Sequence, residues 1–281
     1  MRPTKPSTLD PTVLEAVLQR DRLVVATCLI AVTAAAWIWI LLGAGVDMDG
    51  AGSSPVASGS DNGMADMAMG VMAPMVWTPG YAALMVSMWW VMMIAMMLPS
   101  AAPMLLLFAR VNRKEKASGR PYVPTAIFAA GYLTVWGGFS VMAAAAQWGL
   151  QRLGLISPAM VTTSVVLGAA ILLAAGAWQL TPIKHVCLRH CRSPISFLLN
   201  GWRSGRGGAF RMGREHGAYC LGCCWFLMAL LFVGGIMNLY WVVGLAALVL
   251  IEKTVSMGQW VARTAGAVLV IWGVALLVLA A

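Results

Sequence analysis

The sequence predicts an all-α fold, a polytopic transmembrane helix bundle. It has about seven spans, six at the lower count, with the N-terminus inside and the C-terminus outside. Three observations predict it. Of 281 residues, 60% are hydrophobic and 10% charged, against about 25% charged in a soluble domain. That leaves too little charge for a water-facing surface, so soluble enzyme folds, disordered chains, collagen-like repeats and coiled coils are excluded. Long apolar runs recur, and each span takes about 20 residues. Finally, the cationic residues segregate. With the N-terminus inside and sides alternating, eighteen Lys and Arg fall inside and only Arg152 falls outside. Cytoplasmic loops carry such an excess.

The elements follow in order. Residues 1–22 read as a cytoplasmic tail, too long and polar for a signal-peptide leader. Residues 23–45 form a first, retained membrane anchor, because no small-x-small cleavage pattern follows them. Residues 46–79 read as a flexible external loop with Asp47, Asp49, Asp61 and Asp66, six methionines and no Lys or Arg. Residues 80–281 form the membrane helical domain. Its second span runs from Tyr81 to Ala109, and Pro99 and Pro103 are expected to kink or end it. The third runs from Pro124 to Gln147 and the fourth from Ala159 to Leu180. A cytoplasmic Cys-rich loop, 181–224, follows. The fifth span begins near Gly217, where a helix start would favour thiolate at Cys220. The sixth, Leu239 to Ile251, is short, and the last runs from Thr264 to Ala281. Inside the loop, residues 194–202 read as an interfacial helix with Phe197, Leu198 and Trp202 towards lipid. Gly201 to Gly208 reads as a flexible basic hinge.

The chemistry concentrates in the cysteines. Cys187 and Cys191 are spaced i, i+4 and share a helix face, as do Cys220 and Cys224, with Cys223 beside them. The two groups stand about thirty residues apart at the ends of consecutive spans, so they can meet on the inner face. Thiolates presented by two elements suit Zn²⁺ or Cu(I), which favour soft ligands. Packing alone explains Cys28. His216, four residues before Cys220, is the best histidine candidate, and His185 and His190 are weaker ones. Met88, Met92 and Met96 form a stripe at i, i+4, i+8, flanked by Met93 and Met97. Thioethers prefer Cu(I), and methionine is also a good apolar gap-filler. Together with Met48, Met64, Met67, Met69, Met72 and Met75 in the outer loop, the stripe outlines a copper path. Glu252 and Lys253 end the sixth span. An ionisable pair there is either functional or an interfacial pair that snorkels.

Three blocks carry a family resemblance: Met88–Ser100, Gln179–Pro194 with its Cys187-x3-Cys191 spacing, and the His216-Gly-Ala-Tyr-Cys220-Leu-Gly-Cys-Cys-Trp225 run. Met237–Asn238 through Glu252–Lys253 completes it. Over roughly residues 80–260 the chain resembles the bacterial family of predicted metal-binding integral membrane proteins of unknown function. His185 and His190 lie outside that pattern. The resemblance implies metal binding in a multi-pass protein of the bacterial inner membrane.

The expected function is metal handling, copper ahead of zinc, by transport, delivery or metal loading. The metal ligands would be Cys187, Cys191, Cys220, Cys223, Cys224, His216, Met88, Met92 and Met96. No ATP-binding motif is present, so any transport is not driven by an ATPase in this chain. Two other readings stay open. One is a membrane thiol–disulfide protein using Cys220/Cys223 and Cys187/Cys191. The other is a structural subunit of a membrane complex with a zinc clip. The expected partners are the lipid bilayer, a metal ion and a membrane or periplasmic protein, with no nucleic acid.

Overall fold

A computed structural model describes residues 11–43, 77–117, 123–157 and 160–280. The described residues are helical apart from short connections and one isolated β-bridge, Ile156 to Thr162. In order they form α1 (Pro11–Leu41), α2 (Pro79–Ala117), α3 (Thr125–Arg152), α4 (Val165–Leu180) and α5 (Pro182–Arg192). Then come α6 (Pro194–Gly201), α7 (Gly205–Ala229), α8 (Leu231–Gly234), α9 (Leu239–Thr254) and α10 (Gly258–Ala280).

Five segments are long and apolar enough to cross a membrane: Leu23–Leu41, Pro79–Arg113, Thr125–Arg152, Gly205–Gly234 and Gly258–Ala280. A sixth is added if α4 and α5, bent by 65°, count as one broken span. The remaining expected span, the sixth in chain order, is α9. At 16 residues it is about 24 Å long, short of a hydrocarbon core of about 30 Å.

Several expectations change. The tail is not wholly outside the first helix, since α1 already begins at Pro11. Pro99 and Pro103 do not end α2, which runs through both for 39 residues. The fourth helix starts at Val165, where the Ser164 side chain accepts from the Leu167 N–H and caps it. Most of the expected cytoplasmic loop is helix. The basic hinge is replaced from Gly205 onwards by the first turns of α7, so Cys220 lies well inside a helix and not at its start. The lipid-facing assignment in α6 is also reversed. Leu198 is buried and Trp202 stacks on Phe108 at 5.5 Å, while Ile195 and Leu199 are exposed. The outer loop, with Met48, Met64, Met67, Met69, Met72 and Met75, lies outside the described residues.

The break between α4 and α5 has a local cause. Pro182 carries no N–H to continue the helix ladder to Trp178. The Thr181 hydroxyl instead donates to the Trp178 carbonyl at 2.8 Å and accepts from the Lys184 N–H at 3.3 Å, capping the new helix.

Two close crossings build the bundle, and glycine permits both, as in membrane helix pairs generally. Between α3 and α7, Gly131 faces the Phe210 carbonyl and Gly213 faces the Phe128 carbonyl. Between α4 and α10, a Cβ on Gly176 would lie 2.8 Å from the Gly266 carbonyl oxygen. The interior is filled from α2, whose Met85, Met88, Trp89, Met92, Met93, Met96 and Met97 are all buried. α1 packs on α2 and is otherwise mostly exposed. The C-terminal end of α2, α5, α6, the start of α7 and the α9–α10 turn gather at one end, where Arg192 donates to the Val255 and Ser256 carbonyls.

Gly213→Ala drives a methyl group into the Phe128 carbonyl. Overpacking of this kind costs about 1–3 kcal/mol, so Tm in detergent falls. Gly138→Ala, with nothing within 4 Å of its Cβ position, leaves Tm unchanged or raises it, since Ala is the better helix former by about 1 kcal/mol. Equal Tm values for the two variants would contradict this account of the crossing.

Candidate metal centre

The two cysteine groups do meet. α5 folds back along α7, which sets Cys187 and Cys191 beside the Cys220, Cys223 and Cys224 group. Both the Cys223 and Cys224 thiols also lie 3.0 Å from the Cys220 carbonyl oxygen, to which they donate. Cys224 Sγ lies 3.9 Å from Met97 Sδ on α2. Sulfurs from three helices, α2, α5 and α7, thus gather in one region. Cys187, half-buried, lies at its edge beside Gly222, where a Cβ would stand 3.1 Å from Cys187 Sγ. The six cysteines are free thiols, with Cys220, Cys223 and Cys224 buried and Cys28 exposed.

Two polar side chains converge on Cys220. Lys253 Nζ donates to its Sγ at 2.9 Å and to Ser100 Oγ at 3.2 Å. The Tyr132 hydroxyl lies 3.0 Å from the same sulfur and 3.3 Å from the Met97 carbonyl oxygen. An ammonium against sulfur is the arrangement that holds a thiolate, since hydrogen bonds to a charged partner are the strong ones.

Behind this centre sits a buried ion pair. Lys184 Nζ is 2.7 Å from Glu252 Oε2, with side-chain exposures of 0% and 2%. Gln179 Nε2 donates to Glu252 Oε1 at 2.8 Å. The choice left open for Glu252 and Lys253 is therefore settled against snorkelling. Glu252 pairs with Lys184 and Lys253 points to Cys220.

Among the described residues, no three Cys, His, Asp or Glu side chains close around a point as a metal shell does. The sulfurs' chemistry is soft throughout, which fits Cu(I), and the Cys224–Met97 pair at 3.9 Å suits an ion that accepts two sulfur ligands. A closed tetrahedral zinc shell is not preformed there.

Residues 86–276 match the family model described as PpoB2: Copper chaperone. The chain belongs to this family of copper chaperones. No curated protein and no solved structure matches it. The family assignment supports copper handling in general and is consistent with the metal-binding resemblance read from the sequence. All five clustered cysteines, Met88 to Met97, Tyr132 and Lys253 lie within the matched segment, and α1 lies before it.

Within this copper-chaperone core, the expected ligands divide. Cys191, Cys220, Cys223 and Cys224 are brought together, and Cys187 stands next to them. His216 is buried, but its neighbours are the rings of Phe128, Tyr132 and Phe197, at 5.8–6.2 Å between centroids. Among the described residues no hydrogen bond joins it to a sulfur. His190 stacks flat on Tyr219 at 4.3 Å on the outer side of α5. A cleft of about 340 Å³ between α5, α6 and α7 is lined by Arg189, His190, Asn200, Glu215 and Tyr219, among others, and by no sulfur. Met88, Met92 and Met96 are buried in the interior of the bundle. Reading the sequence as a ligand search missed Tyr132, Ser100 and the part played by Met97. Lys253 was weighed as a functional candidate together with Glu252, but not as a partner of Cys220.

Removing one partner of a buried ion pair strands the other, at about 3–5 kcal/mol. Lys184→Met alone therefore lowers Tm sharply. Lys184→Met with Glu252→Gln recovers most of the loss, because neither charge then lacks a partner. A double variant no more stable than the single one would show that the pair is not what holds α5.

Proposed function

We propose that the chain is an integral membrane protein that binds Cu(I) at the cluster of Cys191, Cys220, Cys223 and Cys224 and hands it on. The single observation that carries this reading is the gathering of soft donors from three helices. Partly buried Cys187 and Cys191 stand at one side, and Cys224 meets buried Met97 at the other. Copper is the cargo, and no ATPase is needed for its binding.

The membrane placement rests on the five or six apolar helices and on the charge segregation. Eighteen cationic residues on one side orient the basic end, and with it the cysteine cluster, towards the cytoplasm of a bacterial inner membrane. α9 then completes seven crossings as a short span whose polar end is neutralised by Lys184. The external Met- and Asp-rich segment is read as the region nearest a periplasmic protein partner.

One observation favours a second reading. Cys187 and Cys191 on α5 face the cysteines of α7 from a different helix, the arrangement a thiol–disulfide protein uses. A zinc clip binding the same cysteines is the third.

Metal analysis of the detergent-purified protein separates them. The native chain is expected to hold copper, and the Cys220→Ser/Cys223→Ser/Cys224→Ser variant to lack it. Zinc lost in the same way would replace this reading with the structural clip. Metal-free protein with an oxidised Cys191–Cys223 pair would replace it with thiol exchange.

A further inference from the structure

Resting on the copper reading above, we infer that Met97 is the ligand through which Cu(I) leaves the cysteine cluster and enters the interior of the bundle, and that it makes the exit selective for a monovalent soft ion. Cys224 Sγ and Met97 Sδ lie 3.9 Å apart although 127 residues separate them in sequence. Two metal–sulfur bonds of about 2.3 Å each span about 4.6 Å. One ion can therefore touch both sulfurs at once, and exchange ligands without ever being free.

Met97 also opens onto further donors. Going back along α2, Met93, Met92, Met88 and Met85 follow within helical reach, and each is at most 2% exposed. Met93 and Met92 are adjacent, and the other three steps, of three to four residues, rise about 4.5–6 Å. Methionine has three rotatable bonds with which to close such gaps. The column ends at Met85, whose Sδ accepts from Gln147 Nε2 at 3.5 Å. Gln147 is itself fixed by Trp89 Nε1, which donates to its Oε1 at 2.9 Å. From Met97 to Met85 the column covers 12 residues, about 18 Å of helix.

The step transfers one Cu⁺ and no electrons. The bond to Cys224 breaks as the bond to Met97 forms. The thiolate left behind takes the next Cu⁺ arriving through Cys191, or a proton from water at the half-exposed end. A thioether is neutral and soft, so it accepts Cu(I). Zn²⁺ can sit on the thiolates, but a neutral thioether in a dry interior offers its double charge little. Met97 is thus where the two ions part.

The test uses the full chain in liposomes. Cu(I) is supplied outside as its glutathione complex, with a water-soluble Cu(I) indicator trapped inside. Met97→Leu conserves volume, and such swaps cost under about 1.5 kcal/mol, so the fold survives. The expected result is copper still bound by Met97→Leu, with the transfer rate down at least tenfold. Met104→Leu, a buried methionine on α2 beyond the cluster, transfers like the native chain, and Zn²⁺ binds without crossing. Transfer by Met97→Leu at the native rate would overturn the inference. So would a native chain that binds copper and passes none, or a Met97→Leu protein empty of copper, which would make Met97 a ligand of the resting site. Copper retained by the triple-cysteine variant would instead sink the underlying site assignment, so the two failures read differently.

Discussion

The Lys184–Glu252 ion pair fixes everything at the sulfur centre. α5 leaves the axis of α4 at 65° because Pro182 breaks the ladder, and a freed helix of 11 residues has little of its own to hold it. The carboxylate of Glu252 takes Lys184 from beyond the break and Gln179 from before it, at 2.7 and 2.8 Å. One side chain of α9 thereby clamps both sides of the bend. From that clamp α5 lies along α7, with Cys191 on the α7 side of the bundle's cysteines. In an apolar interior neither charge can be left alone without a penalty of several kcal/mol, so the geometry of α5 is tied to the survival of the pair.

The same residue also sets the aim of its neighbour. Successive residues on a helix point about 100° apart. With Glu252 turned to α5, Lys253 faces α2 and α7, where Ser100 and Cys220 wait. Among the described residues, Lys184 and Glu252 cancel, and Lys253 is the buried cation left to face sulfur. A monovalent ion held by two thiolates carries one net negative charge. One ammonium at 2.9 Å balances it, leaving a neutral assembly in a medium where net charge is costly.

How much of this the sequence disclosed depends on the kind of signal. Helical class, the apolar spans and the pairing of Cys187/Cys191 with Cys220/Cys223/Cys224 were legible, because composition, run length and i, i+4 spacing are local properties. The start of α7 was not. Gly205 to Gly217 is rich in Gly and Arg and reads as loop, yet Gly213 is needed for the crossing with α3 and makes helix there worthwhile. The sequence could not show which way α6 turns. Its apolar residues could cover lipid or core, and only the position of Phe108 decides in favour of Leu198 and Trp202. His216 looked like a ligand by spacing alone. Its ring is instead enclosed by aromatic side chains from α3 and α6, contacts that no local pattern records. Tyr132 carried no signal at all, since a lone tyrosine in an apolar span is ordinary until the α3–α7 crossing sets its hydroxyl against Cys220.

Packing and ligation are not competing explanations of the methionines on α2. A column that fills the core must be apolar and uncharged, and a donor that accepts Cu(I) without a compensating charge must be the same. Methionine meets both demands with one atom. On the proposed copper reading, the order of donors follows the charges at hand. Thiols that can carry charge have Lys253 and Tyr132 beside them, neutral thioethers follow along α2, and Cys224 meets Met97 between the two.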